Sequence, residues 1–148
     1  MKLASTQYTL EHESFEVYLS GCCGNCFGCH NPLLKDFNIG ELIGQDCINS
    51  LINKVTNNSL LIKKIWILGG EPLDQPLDEL VSLLIKLKET NKELWIWTRY
   101  DYQFVPEEIV ELCDYIKCGM YMEELRTDDN IQFGIKLATS NQKIYKTK

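Results

Sequence analysis

Apolar and polar residues follow one another in this chain in a pattern that predicts alternating strands and helices. Residues 15–19 alternate and are rich in β-forming side chains, and residues 65–68 and 93–97 are short apolar runs, which are typical of strands inside a sheet. Residues 45–55 and 76–89 carry apolar residues three and four positions apart, which places those residues on one face of a helix. The pattern therefore predicts repeated strand–helix–strand units.

Shorter segments continue this alternation. Residues 106–113 begin with a proline and two glutamates, which favours the start of a helix, and residues 115–117 begin a fourth strand. Residues 33–44 contain two glycines and are expected to be irregular. Further short strands, including a hairpin or edge strand at the beginning, are expected within residues 1–13, 135–138 and 143–145.

The order of elements predicts a fold class. Strands that alternate with helices form βαβ units and a parallel sheet, and the loops that follow the strands then meet at one edge, where ligands bind. A complete eight-unit barrel needs about 250 residues, and this chain has 148. The prediction is an α/β fold with parallel strands, a partial (open) βα barrel, in a single domain over residues 1–148.

Composition narrows the classes of partner. The formal net charge is −6 and the pI is about 4.9, which argues against a general affinity for nucleic acid. No apolar run approaches the roughly 18 residues that span a bilayer, so no membrane partner is expected. The first residues do not look like a secretory signal, and the cysteine usage suits a reducing cytoplasm.

The candidate chemistry is concentrated in residues 21–32, which read Gly-Cys-Cys-Gly-Asn-Cys-Phe-Gly-Cys-His-Asn-Pro. Cys22, Cys26 and Cys29 have the spacing C-x3-C-x2-C, and glycines between them allow the backbone to turn tightly around a metal centre. Iron–sulfur clusters normally take four cysteine ligands. With three, a cubane cluster keeps one iron free to hold a substrate.

Other interpretations of this loop remain open. A zinc site would use Cys22 or Cys23 together with Cys26, Cys29 and His30, although structural zinc sites usually draw two ligand pairs from separate elements. A disulfide framework is disfavoured by the odd count of seven cysteines. The alternative ligand spacing that starts at Cys23 resembles a ferredoxin run, but Leu33 stands where that run needs a fourth cysteine.

Two more segments directly follow predicted strands. Gly69-Gly70-Glu71-Pro72 reads equally well as an ordinary strand-to-helix turn and as a ligand loop, since backbone without a Cβ lets a ligand approach. Thr98 and Arg99 follow the strand at residues 94–97. The guanidinium of Arg99 is suited to holding a carboxylate in a bidentate manner, or it simply lies in solvent.

These motifs together carry a family resemblance. The cysteine spacing on a loop after a strand resembles the signature of the radical S-adenosylmethionine enzymes, and Gly69-Gly70-Glu71-Pro72 resembles their Gly-Gly-Glu-Pro motif. Residues 28–32, with a glycine where many members have an aromatic residue, resemble the glycyl-radical-enzyme activases. The segment Ser140-Asn141-Gln142 resembles one near the C-terminus of the activases of anaerobic ribonucleotide reductase.

The resemblance implies a set of roles. Cys22, Cys26 and Cys29 would hold a [4Fe-4S] cluster, and S-adenosylmethionine would contact the cluster and the chain, with His30 near its adenine. Arg99 departs from the family's usual Thr-Gly-Tyr. The implied S-adenosylmethionine contacts are Gly28, His30, Asn31, Gly69, Gly70, Glu71, Thr98 and Arg99.

The implied activity is a hydrogen abstraction from a glycine. A reduced flavodoxin or ferredoxin would supply the electron, and the target glycine would lie in the large chain of an anaerobic ribonucleotide reductase. Two rivals are a small radical enzyme acting on a small molecule, such as one resembling 7-carboxy-7-deazaguanine synthase, and a non-catalytic iron–sulfur electron carrier. The remaining notable side chains, expected to be buried in packing, are Trp66, Trp95, Trp97, Cys47 and Cys118.

Overall fold

The computed structural model describes all of Met1–Lys148 and contains one seven-stranded sheet and one hairpin. The strands of the sheet are β1 (Lys2–Thr9), β2 (Ser14–Ser20), β3 (Glu41–Leu42), β4 (Lys64–Gly69), β5 (Glu93–Trp97), β6 (Tyr115–Cys118) and β9 (Lys143–Lys146). The hairpin consists of β7 (Ile131–Gln132) and β8 (Ile135–Lys136). The helices are α1 (Gln45–Asn57), α2 (Leu77–Lys88) and α3 (Glu107–Leu112).

The sheet is mixed and open. Its order is β3-β1-β2-β4-β5-β6-β9, in which β2, β4, β5 and β6 run parallel and β1, β3 and β9 run antiparallel to their neighbours. The parallel strands confirm the predicted βαβ order, and their ends place the following loops along one edge. The sheet does not close on itself, so the description as part of a βα barrel stays a prediction.

Most of the predicted elements are found within two residues of their expected ends. The strand expected at residues 93–97 has those bounds, and the helix expected at 45–55 continues to Asn57. The expected irregular region 33–44 is wrong in part, because Glu41 and Leu42 form β3. That short strand pairs with β1, which therefore lies inside the sheet and not at its edge.

The core lies between the sheet and the three helices. Apolar residues of β2, β4 and β5 alternate toward this side, and helix α2 buries Leu80, Leu83, Leu84 and Leu87 against them. The spacing of apolar residues in 76–89 also predicts Leu77 on this face, but Leu77 stands at the first position of α2, where its side chain is exposed. No helix in the structure has the length and apolar character needed to cross a membrane.

The opposite face of the sheet is aromatic. Trp66 and Trp95 are buried there with Ile135 and Leu137, which confirms the packing role predicted for these two tryptophans. Trp97 is only half-buried, because it lies at the strand end beside a cavity. Of the two cysteines expected to be buried, Cys118 is buried, whereas Cys47 is only partly covered and its thiol donates to Glu41.

Candidate functional site

A cavity of about 370 Å³ lies at the edge of the sheet where the four parallel strands end. The loops that follow β2, β4, β5 and β6 all contribute to its wall. The structure thus confirms that the cysteine loop, the Gly-Gly turn and the Thr-Arg segment meet at one place, as expected for loops after parallel strands. The predicted site residues that line the cavity are Cys22, Cys26, Cys29, His30, Asn31, Gly69, Gly70, Glu71, Thr98 and Arg99.

Gly28 is the one predicted site residue that does not line the cavity. Its φ is +73°, which favours glycine, and a Cβ there would lie 3.1 Å from the Tyr121 ring. The glycine therefore lets the loop turn beside Tyr121. His30, which lines the cavity, has its ring 5.2 Å from the same tyrosine ring.

The three regularly spaced cysteines share the cavity wall, and Cys23 does not. Cys23 is exposed, and its backbone N–H donates to Asp74 at 2.6 Å. Burial raises the pKa of Cys22, although the N–H of Gly24 and the guanidinium of Arg99 act in the opposite direction. All seven cysteines are free thiols.

The cysteine side chains do not converge on one point. No group of three or more histidine, cysteine, aspartate or glutamate side chains is close enough to hold a single metal ion. A cubane cluster differs from a single ion, because each of its cysteine ligands binds a different iron. Three thiols along one cavity wall therefore suit a cluster by their donor chemistry, and the ligand assignment itself stays a prediction.

The cysteine loop and the Gly-Gly turn are joined through their backbones. The Glu71 N–H donates to the Gly21 carbonyl at 2.8 Å, and the buried Gln75 amide donates to the carbonyls of Ser20, Gly21 and Glu71 at 3.1 Å each. This arrangement makes one rigid unit of the first residues of both loops. Sequence reasoning did not identify Gln75. Its position shortly after the two glycines is the only feature of the sequence that could have indicated its role.

The two glycines of the turn are required by this packing. A Cβ at Gly70 would lie 2.4 Å from the Gly21 carbonyl oxygen and 2.6 Å from that of Leu34. Gly69 has φ +118°, and a Cβ there would lie 2.4 Å from the Leu19 carbonyl oxygen. The glycines thus allow backbone to approach backbone, in addition to the turn and the ligand approach that the sequence suggested.

We expect Gly70→Ala to destabilise the chain, by about 1–3 kcal/mol if it behaves as an overpacked core position. The two oxygens that the new methyl group would meet belong to the main chain and cannot move alone. Urea unfolding of the metal-free protein measures the change. Gly44→Ala is the matched control, since a Cβ there has nothing within 4 Å. Equal unfolding midpoints for the two variants would contradict this packing.

The carboxylate of Glu71 holds the Gly-Gly turn against the end of β5. It is buried and accepts hydrogen bonds from the Leu73 N–H at 3.0 Å, the Thr98 hydroxyl at 2.7 Å and the Arg99 N–H at 2.7 Å. Burial raises the pKa of Glu71, although these hydrogen bonds oppose the rise. The side chain therefore organises the site from beneath.

Arg99 is not in solvent, which was one of the two possibilities raised by the sequence. Its Nη2 donates to both oxygens of Asp74, at 3.1 and 3.2 Å, and to the Tyr100 hydroxyl at 2.8 Å. Burial alone would raise the pKa of Asp74, but hydrogen bonds from Tyr100, Cys23 and Arg99 hold it below its ordinary value. The carboxylate that Arg99 binds thus belongs to the chain itself.

Lys117 is the most unusual cavity residue that sequence reasoning missed. It stands near the end of β6, is only 8% exposed, and lines the cavity, with its ammonium donating to the Gly119 carbonyl at 2.9 Å. Burial lowers its pKa to about 8. The sequence could have indicated this role, because Lys117 stands near the end of a buried strand, at the same edge of the sheet as the cysteines.

The segment Ser140-Asn141-Gln142 supports the loop after β6. The Asn141 amide donates to the Met120 carbonyl at 2.9 Å, and the buried Gln142 amide donates to the Gly119 carbonyl at 3.3 Å. The Gln142 side-chain oxygen also accepts from two backbone N–H groups. These bonds fix the segment that brings Tyr121 to the cavity.

Comparison with known proteins identifies the family of this chain. Residues 14–145 match the family described as the 4Fe-4S single cluster domain. The chain belongs to this family. As a 4Fe-4S single cluster domain, it agrees with the four-iron cluster predicted from the cysteine loop, and the match includes all four strands whose loops form the cavity.

The chain is also similar to proteins that are named as activating proteins of anaerobic ribonucleoside-triphosphate reductase. The anaerobic ribonucleoside-triphosphate reductase-activating protein of Escherichia coli (strain K12) is 24% identical over 135 residues, which covers 87% of this chain and 85% of that protein. The protein of the same name from Salmonella typhimurium is 23% identical over 135 residues. That from Haemophilus influenzae is 25% identical over 115 residues, covering 73% of this chain and 74% of the relative.

Proposed function

We propose that this 4Fe-4S single cluster domain is a radical S-adenosylmethionine activase of an anaerobic ribonucleotide reductase. The cluster, when bound through Cys22, Cys26 and Cys29, would supply one electron for cleavage of S-adenosylmethionine, so that a 5′-deoxyadenosyl radical takes a hydrogen atom from a glycine of the reductase large chain. A reduced flavodoxin or ferredoxin would be the electron donor. The proposal also includes that the open sheet is a partial βα barrel and that the protein acts in the cytoplasm.

The observation that carries the proposal is the meeting of the three segments around one cavity. A volume of about 370 Å³ is in the range of small-molecule sites. Cys22, Cys26 and Cys29 form one part of its wall and the Gly-Gly turn another. S-adenosylmethionine needs a cation for its carboxylate, an acceptor for its amino group and a surface for its adenine, and each has a counterpart in this cavity.

Lys117 is the cation that suits the carboxylate. It is buried, lines the cavity, and makes its one hydrogen bond to a neutral carbonyl, so its charge is not matched by a partner within bonding distance. A buried charge without a counterion is unfavourable, and an incoming carboxylate would relieve that cost. Binding of the S-adenosylmethionine carboxylate would therefore also neutralise the charge of Lys117.

The amino group and the adenine have candidates on the other walls. The Gly70 carbonyl accepts no hydrogen bond within the protein, so it is available to an ammonium group in a charge-assisted bond. The rings of His30 and Tyr121 both line the cavity and offer flat surfaces for a purine. The indole N–H of Trp97 is buried beside the cavity without an acceptor, as in a site completed by a bound molecule.

The apolar surface near the cysteines suits a macromolecular substrate. Phe27 lies between two of the cavity cysteines and is 83% exposed, and Leu33 follows the loop and is 77% exposed. Large apolar side chains exposed beside a site are typical of protein interfaces. An extended glycine peptide has no side chain at its target residue, so it approaches a radical without a clash.

The deciding experiment mixes the anaerobically reconstituted and reduced protein with S-adenosylmethionine and an anaerobic ribonucleotide reductase large chain. We expect 5′-deoxyadenosine and an electron paramagnetic resonance doublet from a glycyl radical, absent when the target glycine is replaced by alanine. Formation of 5′-deoxyadenosine that is accelerated by a small molecule, with no protein radical, would replace the proposal by the small-molecule enzyme. No cleavage of S-adenosylmethionine at all would favour the electron carrier.

A further inference from the structure

Arg99 links three loops beneath the cysteine segment. Its side chain is 23% exposed, and through Asp74 it is connected to the backbone N–H of Cys23, because one oxygen of Asp74 accepts that N–H at 2.6 Å. The hydroxyl of Tyr100 donates to the other Asp74 oxygen at 2.6 Å. The guanidinium is thus held in one orientation by groups on two different turns.

The Nε of Arg99 has no hydrogen-bond partner although it is buried. It lies 3.9 Å from a Glu71 oxygen, which is too far for a hydrogen bond. The cysteine loop lies close to the same nitrogen, since a Cβ built on Gly24 would lie 2.7 Å from Arg99 Nε and 3.2 Å from Cys22 Sγ. A buried N–H without an acceptor therefore stands beside the sulfur of a cluster cysteine.

We propose that Arg99 is a positioning residue for the cluster, whose Nε–H donates to the Cys22 sulfur in the loaded protein and raises the cluster's reduction potential. A thiolate sulfur accepts such a bond, and a donor at the sulfur stabilises the reduced cluster, which carries one more negative charge. Asp74 balances much of the guanidinium charge, so the N–H···S bond is the main contribution. The inference rests on cluster binding alone and requires neither S-adenosylmethionine cleavage nor the reductase.

The test is a reductive titration of the reconstituted protein, followed by electron paramagnetic resonance, without S-adenosylmethionine or partner. Arg99→Met, which removes the donor and retains most of the volume, is expected to shift the midpoint potential to more negative values. Arg126→Met is the matched control, since Arg126 is 74% exposed and pairs with Glu123 on the surface. Its midpoint is expected to equal that of the unchanged protein.

A second variant keeps the test decisive if Arg99→Met holds too little cluster. Gly24→Ala retains the arginine and its charge, but its new methyl group displaces Nε, and we expect a shift in the same direction. In a chain that also carries Arg99→Gly, the Gly24→Ala change is expected to have no further effect. Unchanged midpoints in both Arg99→Met and Gly24→Ala, with full clusters, would overturn the inference.

These outcomes are separate from those of the proposed activity. An unchanged potential with normal formation of 5′-deoxyadenosine would overturn the role of Arg99 and leave the activase proposal standing. A shifted potential in a protein that never cleaves S-adenosylmethionine would support the role of Arg99 and overturn the activase proposal.

Discussion

Cys22→Ala, Cys26→Ala and Cys29→Ala are each expected to abolish cluster assembly, whereas Cys23→Ala is expected to retain most of it. The first three side chains line the cavity, and that of Cys23 is exposed outside it. The hydrogen bond of Cys23 to the site comes from its backbone N–H to Asp74, and alanine also provides this bond. Iron and sulfide counts per chain after anaerobic reconstitution measure the difference.

Cys47→Ala is the control for this series. Cys47 lies in α1, away from the cavity, so its removal should leave the iron count unchanged. Loss of the cluster in Cys23→Ala together with its retention in Cys22→Ala would show that the ligands follow the spacing that starts at Cys23. The ferredoxin-like interpretation of the loop would then replace the present one.

Lys117→Met is expected to weaken S-adenosylmethionine binding about tenfold to a hundredfold, while the cluster remains intact. The estimate is that of one hydrogen bond to a charged group, about 1.5–3 kcal/mol. Because the change removes a buried ammonium whose one hydrogen bond is to a neutral carbonyl, it should not lower the free energy of unfolding. Equilibrium binding to the reconstituted protein measures the affinity.

The same residue gives the binding a pH dependence. The lowered pKa of Lys117, about 8, means that its ammonium is present below that pH and is lost as the pH rises through it. Affinity for a carboxylate should therefore fall above about pH 8, and this fall should be absent in Lys117→Met. Lys136→Met is the control, because Lys136 also lines the cavity but is exposed and paired with Asp128. Equal affinities for the two variants would exclude Lys117 as the carboxylate partner.

The sequence predicted the alternation of elements well because burial determines it directly. The strand at residues 93–97 and the apolar face of α1 follow from periods of two and of 3.6 residues. Short elements and the ends of helices were harder to predict from the sequence. The two-residue strand β3 exists only because it pairs with β1, and the exposure of Leu77 depends on where helix α2 begins.

The residues of the candidate site that belong to local sequence motifs were predicted. The residues that reach the site only because distant parts of the chain fold together were missed. Nearly all of the motif residues line one cavity, since each motif follows a strand end. Lys117 belongs to no motif, and only the packing around β6 shows that it is buried. The roles of Gln75 and Asp74 depend on backbone groups of the distant cysteine loop, which no local pattern reveals.

The close approach of Arg99 to the cysteine loop also limits which sequences this site accepts. The arginine occupies the volume that a side chain at position 24 would need, so a residue larger than glycine at that position has to displace Arg99. A chain with glycine in place of Arg99 has that volume free and tolerates a larger residue at 24. Positions 24 and 99 should therefore vary together among related chains. An arginine placed alone at position 99 of a relative with a large residue at 24 should destabilise the site, and placing glycine at 24 as well should restore it.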